Sequence, residues 1–465
     1  MAEPSRARTR AVLLGVQLSG VSDGDFASSL DELARLGKTL GLEIVARVTQ
    51  RRARLAPAAV VGAGKLRELA KLTGGSGVVP TGPPRSRKRG EEEQEEAALE
   101  GEEEDREDTD SPPQESGGED APTATAVLVD HDLTPSQARN LERATGAEVL
   151  DRSAVILAIF QRHARSREAR LQVEIARLSY VAPRLREAGG RDRQGGGIGG
   201  RGAGESALEL DRRKLRDRIA ELRAELAGIE RDSGTRRKRR GELRTVALVG
   251  YTNAGKSSWM RALTGSGVLV EDKLFATLDT TVRALQPETN PRILVSDTVG
   301  FIQHLPHDLV ASFRSTLDEA REGDLLVHVV DAADPAFPRQ IEVTREVLAD
   351  VGADESPRLL VLNKADRLDA ASRERLARDH PGALLLSAHD PGDVAVLRAR
   401  LVAFFQQGFE EAELMIPYSQ QRWVAEAHAN AHVLEQHHEA EGTRLRLRAT
   451  SSVWAKLRAG VGERS

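Results

Sequence analysis

Not one of the 465 residues is cysteine. That absence excludes disulfides, thiolate zinc sites and cysteine nucleophiles together, and it suits a reducing cytoplasm, the compartment expected for the chain. No apolar run approaches the ~20 residues that cross a bilayer, so a membrane-spanning protein is excluded and no stable membrane insertion is expected. The first ten residues are basic, but only a short apolar stretch follows, at 11–18, without a small-residue cleavage site. A secretory signal is therefore not expected. Lipidation motifs are absent as well, which argues against a membrane-associated role. What remains is 39% hydrophobic and 30% charged residues, the balance of a globular protein, at a length that predicts two to four domains.

The net charge of −5 hides an uneven distribution. Residues 80–122 carry 16 Asp/Glu against 5 Lys/Arg, a local −11, which leaves +6 for the rest of the chain. Residues 151–244 carry 24 Lys/Arg against 14 Asp/Glu, or +10. A basic middle third points to an anionic partner such as nucleic acid. The acidic segment either docks on a basic partner, shields the chain's own basic face, or is a solvated insertion without a specific task.

Strand and helix signals alternate at the start: strands at 12–18, 43–48, 126–129 and 148–150, helices at 26–40 and at 135–144 behind Thr134. Alternation of this kind predicts a small open α/β domain over 1–150 with a mainly parallel sheet. Residues 74–123, rich in Glu, Gly, Pro and Ser, bury too little apolar surface to offset their ordering entropy and read as a disordered insertion. A long helix is expected at 154–186, ended by Pro183, and a second at 206–232. Together they form a basic antiparallel hairpin within 151–244. The glycine-rich loop between them, 189–204, is either a connector or an RNA contact. The arginines Arg191, Arg193 and Arg201 suit a phosphate-rich surface that orders the loop.

Chemistry concentrates in 245–407. A buried strand at 246–249 runs into Gly250, Tyr251, Thr252, Asn253, Ala254, Gly255, Lys256 and Ser257, followed by a helical pattern. This is GxxxxGK[ST] in its strand–loop–helix setting, where glycines let backbone N–H groups wrap a polyphosphate at a positive helix terminus. Lys256 is expected to reach the β- and γ-phosphates and Ser257 to ligate Mg²⁺. Asp297, Thr298, Val299 and Gly300 form DxxG, Asp297 holding the metal through water and Gly300 N–H sensing the γ-phosphate. Asn363, Lys364, Ala365 and Asp366 form NKxD. The Asp366 carboxylate can accept from N1–H and the 2-amino group of guanine, donors that adenine lacks. Ser387, Ala388 and His389 end a further strand and offer a backbone N–H to guanine O6. Four ordered motifs at strand ends make this a guanine-nucleotide-binding α/β domain, with GTP and GDP as ligands.

Between the first two motifs lie Phe275, Ala276, Thr277, Leu278 and Asp279. A threonine there completes the Mg²⁺ shell when GTP is bound, Thr277 being the first choice and Thr281 its competitor. Lys256, Thr277 and Gly300 are the groups expected to stabilise the transition state. Phe301 occupies the place where Ras-like switches use a glutamine to orient water. The water-activating group stays unidentified, and slow intrinsic hydrolysis stimulated by a partner is expected. Residues 61–65, Val-Gly-Ala-Gly-Lys, mimic half a phosphate loop. They read as a tight strand-to-helix turn or as a second nucleotide site.

At this point the sequence resembles the HflX GTPases, a translation-associated branch near Obg. The resemblance rests on the motifs above and on three segments not generic to GTPases: 133–142, 149–156 and the glycine-rich 195–213. It implies a P-loop GTPase domain behind an N-terminal α/β domain with a helical hairpin, and a small C-terminal α+β domain over 408–465. It further implies binding to the large ribosomal subunit, with the hairpin near rRNA, and a role in ribosome splitting, rescue or biogenesis. The chain is read as a monomer. Some members use ATP through the N-terminal domain, which bears on 61–65. The sequence departs from the family in Thr280 for a usual proline, in Trp259 for a usual leucine and in the length of 74–123.

After 408 the expected order is strand (413–416), helix (419–434), strand (444–448) and helix (452–458). His428 and His432, spaced i, i+4, suggest either a metal pair or, without a third ligand, a polar helix face. Two functions are weighed: a GTP-switched ribosome-binding factor, and an RNA chaperone or assembly factor whose basic hairpin does the work under GTP control.

Overall fold

The computed structural model describes residues 9–79, 124–188, 207–238, 243–265, 274–275, 281–289, 292–303 and 319–462. Two compact units form, 1–162 with 176–219, and 163–175 with 220–465.

In the first unit, strands β1 (Arg10–Leu18), β2 (Glu43–Arg52), β3 (Ala126–Val129) and β4 (Glu148–Asp151) make a parallel sheet in the order β2-β1-β3-β4. Ala11 to Val16 of β1 are buried in a row, as expected of a strand covered on both faces. Helices α1 (Asp23–Thr39), α2 (Ala63–Thr73) and α3 (Pro135–Thr145) make the crossovers. Thr134 and Gln137 close a capping box on α3. Both ends of the long β2–β3 crossover rest on the domain. Ala124 N–H donates to Leu72 O at the end of α2, and Gly77 N–H to Ala144 O in α3.

The expected single helix at 154–186 is two helices, α4 (Arg152–His163) and α5 (Arg167–Ala188). The Ser166 hydroxyl accepts from Ala169 N–H, a cap that restarts the helix. Pro183 lies inside α5 instead of ending it. Tertiary anchoring outweighs the breaker, since Tyr180 OH and Arg184 on either side both donate to Asp151. α4 is docked by buried Arg152, which pairs with Asp130 at 2.6 Å and with Glu32. Helix α6 (Ala207–Lys238) runs six residues beyond the expected end at 232. The loop carrying Arg191, Arg193 and Arg201, and most of the acidic insertion, lie outside the described residues.

The second unit holds a six-stranded sheet ordered β10-β9-β8-β5-β7-β6. Its strands are β5 (Arg244–Val249), β6 (Thr281–Ala284), β7 (Ile293–Asp297), β8 (Leu325–Asp331), β9 (Arg358–Asn363) and β10 (Leu384–Leu385). All neighbours run parallel except β6, antiparallel to β7. Helices α7 (Lys256–Thr264), α8 (Phe337–Asp350), α9 (Ala370–Asp379) and α10 (Pro391–Phe405) accompany it. Trp259, Met260 and Leu263 of α7 pack with Val246, Leu248, Val295, Val327 and Leu397 in one core. The motif-bearing loops therefore leave the carboxyl edge of a parallel sheet, where open α/β folds place their ligands.

The same unit ends in an antiparallel sheet, β11 (Glu410–Pro417), β13 (Gly442–Ala449) and β12 (His432–His438), with α11 (Arg422–Asn430) and α12 (Ser451–Val461). The helix expected at 419–434 stops at Asn430, and β12 replaces its last turn. β12 has little apolar pattern of its own and is held by pairing with β13. His428 and His432 consequently sit on different elements, and no group of three metal-binding side chains occurs among the described residues.

Candidate nucleotide-binding site

The phosphate-loop glycines are dictated by their neighbours. Gly250 adopts φ +145°, and a Cβ there would lie 2.1 Å from Val329 O on β8. Gly255 adopts φ +98°, and its Cβ would lie 2.2 Å from Asn363 Nδ2 on β9. No other residue type fits either place. Asn253 sits at φ +60°, a conformation asparagine tolerates better than most. Tyr251, Thr252 and Ala254 are buried, which fixes the loop from within. The buried Lys256 ammonium donates to Gly250 O at 3.0 Å and Tyr251 O at 2.8 Å, spanning the loop. Burial lowers its pKa to about 8, and the Asp297 charge acts in the opposite direction.

Asp297, the last residue of β7, is fully buried. The Ser257 hydroxyl donates to its Oδ2 at 2.7 Å. The Thr298 hydroxyl donates to Leu248 O, pinning the turn to β5, and Val299 is buried beside it. A Cβ on Gly300 would come within 3.0 Å of Thr252 and of Lys256 Nζ, so only glycine brings this backbone against the loop. Phe301 is threaded onto the loop through its backbone: its N–H donates to Gly250 O, and Thr252 N–H donates to its carbonyl at 2.8 Å. The Tyr251 hydroxyl accepts from Gln303 N–H at 2.8 Å, a link the sequence did not announce. The Phe301 ring is buried and offers no hydrogen-bonding atom to a water.

Phe275 is buried at φ +58°. Ala276, Thr277, Leu278 and Asp279 lie outside the described residues. Thr281 opens β6 and stands opposite Asp297 in the antiparallel register.

The 363–366 and 387–389 segments are joined to the 250–257 loop directly. Asn363 Nδ2 donates to Ala254 O at 2.7 Å, and its Oδ1 accepts from Ala388 N–H. Lys364, at φ +62°, donates to Asn253 O at 2.9 Å and to Asp331 Oδ2 at 2.7 Å. Ala365 N–H donates to Leu386 O, drawing the two loops together. Asp366 is exposed, and a hydrogen bond from Ser387 leads the interactions that hold its carboxyl below the usual range. Ser387 Oγ accepts from His389 N–H, and Ser387 N–H donates to Asp393. Asp331 and Asp393 were missed in the sequence. Asp331 closes the apolar run of β8 as Asp297 closes β7, which was a usable signal. Asp393 looks like an ordinary first-turn acid of α10.

A hydroxyl and a buried carboxylate brought to 2.7 Å form an oxygen-only donor pair, the chemistry that suits Mg²⁺. The 61–65 segment has a different setting. Gly62 N–H is taken by Gln50 Oε1, and Lys65, on α2, pairs with Glu68.

Residues 245–364 match the family described as 50S ribosome-binding GTPase. Residues 163–240 match the GTP-binding GTPase middle region, and 27–79 with 119–161 its N-terminal region. A GTPase HflX of Gluconacetobacter diazotrophicus is 56% identical over 456 residues, covering 98% of both chains. The chain belongs to the HflX GTPase family. A GTPase HflX of Caldanaerobacter subterraneus subsp. tengcongensis is 36% identical across 98% of this chain and 95% of its own. That of Escherichia coli is 45% identical across 58% and 64%. Among solved structures, a GTP-binding protein from Sulfolobus solfataricus in complex with GDP is 21% identical, covers 86% of this chain and 99% of its own, and has a TM-score of 0.41. As an HflX-family member the chain has the P-loop GTPase fold and hydrolyses GTP. Among the described residues, no helix is long and apolar enough to cross a membrane.

Proposed function

We propose that this GTPase binds GTP and GDP with Mg²⁺ at the carboxyl edge of the six-stranded sheet and uses hydrolysis to switch its hold on the large ribosomal subunit. The observation that carries the nucleotide site is the Asn363 side chain, which bonds Ala254 of the phosphate loop and Ala388 of the guanine loop at once. It joins three loops distant in sequence, which supports reading them as one pocket. In it, residues 250–257 cradle the phosphates, Asp366 reads the guanine edge, and the 387–389 backbone meets O6. Ser257 would ligate the metal directly and Asp297 would hold it through water, with Thr277, or Thr281 in its place, completing the shell. When bound, Mg²⁺ neutralises charge on the β- and γ-phosphates. Lys256 and Gly300 N–H hold the γ-phosphate oxygens.

The ribosomal reading is supported by the family description over 245–364 and by the +10 charge of 151–244. Such a surface suits rRNA, with Arg191, Arg193 and Arg201 as contacts and a monomer acting in the cytoplasm on splitting, rescue or biogenesis. The same charge favours a second reading, an RNA chaperone whose hairpin works under GTP control.

Co-sedimentation with large subunits separates them. Binding in a non-hydrolysable GTP analogue that is lost in GDP supports the switch, and equal binding in both supports the chaperone. Large subunits are also expected to raise an intrinsic hydrolysis rate on the order of 10⁻³ s⁻¹ or less. A fast rate indifferent to subunits overturns the role given to Phe301.

A further inference from the structure

We propose that Asp331 is a positioning residue for guanine-nucleotide binding, holding the Lys364 ammonium so that the lysine stem is set as one wall of the base pocket. The inference rests on the guanine site proposed above. Lys364 is a long side chain with more rotamer freedom to lose than most, and a flexible wall would have to be ordered by each arriving nucleotide. Two anchors order it beforehand. One is the Asn253 carbonyl at 2.9 Å, the other the Asp331 carboxylate at 2.7 Å. Of these two, only Asp331 carries the opposite charge.

The pair is largely withdrawn from water, with side-chain exposures of 18% for Lys364 and 14% for Asp331. A charge-assisted hydrogen bond is strong in such surroundings. Asp331 is itself fixed. Its Oδ1 accepts from Ala333 N–H at 3.0 Å, leaving Oδ2 for the lysine. Its backbone is set by register, because Asp331 pairs with Asn363 where β8 meets β9, and Ala332 N–H donates to Asn363 O. A carboxylate placed this way links the end of β8 to both the base-reading loop and the phosphate loop through one ammonium.

The test is a double-mutant cycle on release of a fluorescent GDP analogue, using the full chain. Asp331→Ala is expected to speed release about tenfold, the cost of a lost charge-assisted bond. Lys364→Met is expected to speed release at least as much, and the double variant no more than Lys364→Met alone. Asp331→Asn keeps an acceptor without the charge, should fall between, and carries the test if the alanine variant does not fold. A purely structural ion pair would shift thermal melting but leave release rates multiplying independently. Release at the wild-type rate in the Asp331 variants, or independent effects in the double variant, overturns the inference. If the wild-type chain itself shows no preference for GDP over ADP, it is the guanine-site reading that fails.

Discussion

Ser257 on the first turn of α7 donates its hydroxyl to Asp297 at the end of β7 across 2.7 Å. The pair brings an alcohol and a buried carboxylate together, oxygen donors of the kind that would suit a hard cation. Asp297→Asn keeps the shape and removes the charge. Its GTP affinity in magnesium should fall by about 10- to 100-fold, as for loss of an outer-shell metal partner. In EDTA the variant and wild type should bind alike. Titration of a fluorescent GTP analogue under both conditions checks this, and an equal loss in each removes Asp297 from the metal's surroundings.

Lys256 offers a prediction in pH. Burial sets its pKa at about 8, below the ordinary 10.5. Between those values the unfolded chain holds a proton that the folded chain has released, so without nucleotide this group makes stability rise with pH across that window. A bound polyphosphate favours the ammonium. At pH 8 binding should take up about half a proton, and at pH 6.5 almost none. Calorimetry in buffers of different ionisation enthalpy measures the uptake, which Lys256→Met should abolish.

Asp366 is held below the usual carboxyl range, with the Ser387 hydrogen bond as the leading cause. Its charge therefore persists from pH 8 to pH 5, and preference for GDP over ADP should stay flat over that interval. Asp366→Asn keeps a single acceptor facing two donors. GDP affinity should drop by about a hundredfold, in line with the loss of charge-assisted bonds, while ADP affinity barely changes. Competition titrations with both diphosphates at three pH values decide it.

Arg152 ties α4 to Asp130, just after β3, and to Glu32 on α1. Removing one member of a buried ionic group leaves its partners without compensation, at a cost of about 3–5 kcal/mol. Arg152→Met should lower the urea midpoint of the first unit accordingly. A midpoint equal to wild type would mean that the apolar face of α4 suffices to hold it.

Much of this was legible in the chain itself. The alternation of apolar runs with glycine and capping residues marked the parallel strands, and Thr134 announced a helix start that the structure bears out, Gln137 completing a capping box with it. The order of the GTPase motifs placed each at a strand end. Less legible were features decided by distant neighbours. Pro183 reads as a stop, yet Asp151 holds the turn around it. β12 is mostly polar, with only Val433 and Leu434 apolar, and is held by pairing with β13. Asp331 carries no motif, and only the register of β8 on β9 brings it to Lys364.

The long crossover between β2 and β3 leaves and returns through contacts with α2 and α3 that close without it, Ala124 to Leu72 and Gly77 to Ala144. Gly77 and Ala124, on either side of the spliced-in chain, are thereby both fixed to the domain. Doubling such a length adds only about 0.6 kcal/mol of closure entropy. A fluorophore or an affinity tag grafted between those two anchors is therefore expected to leave the strands paired as they are.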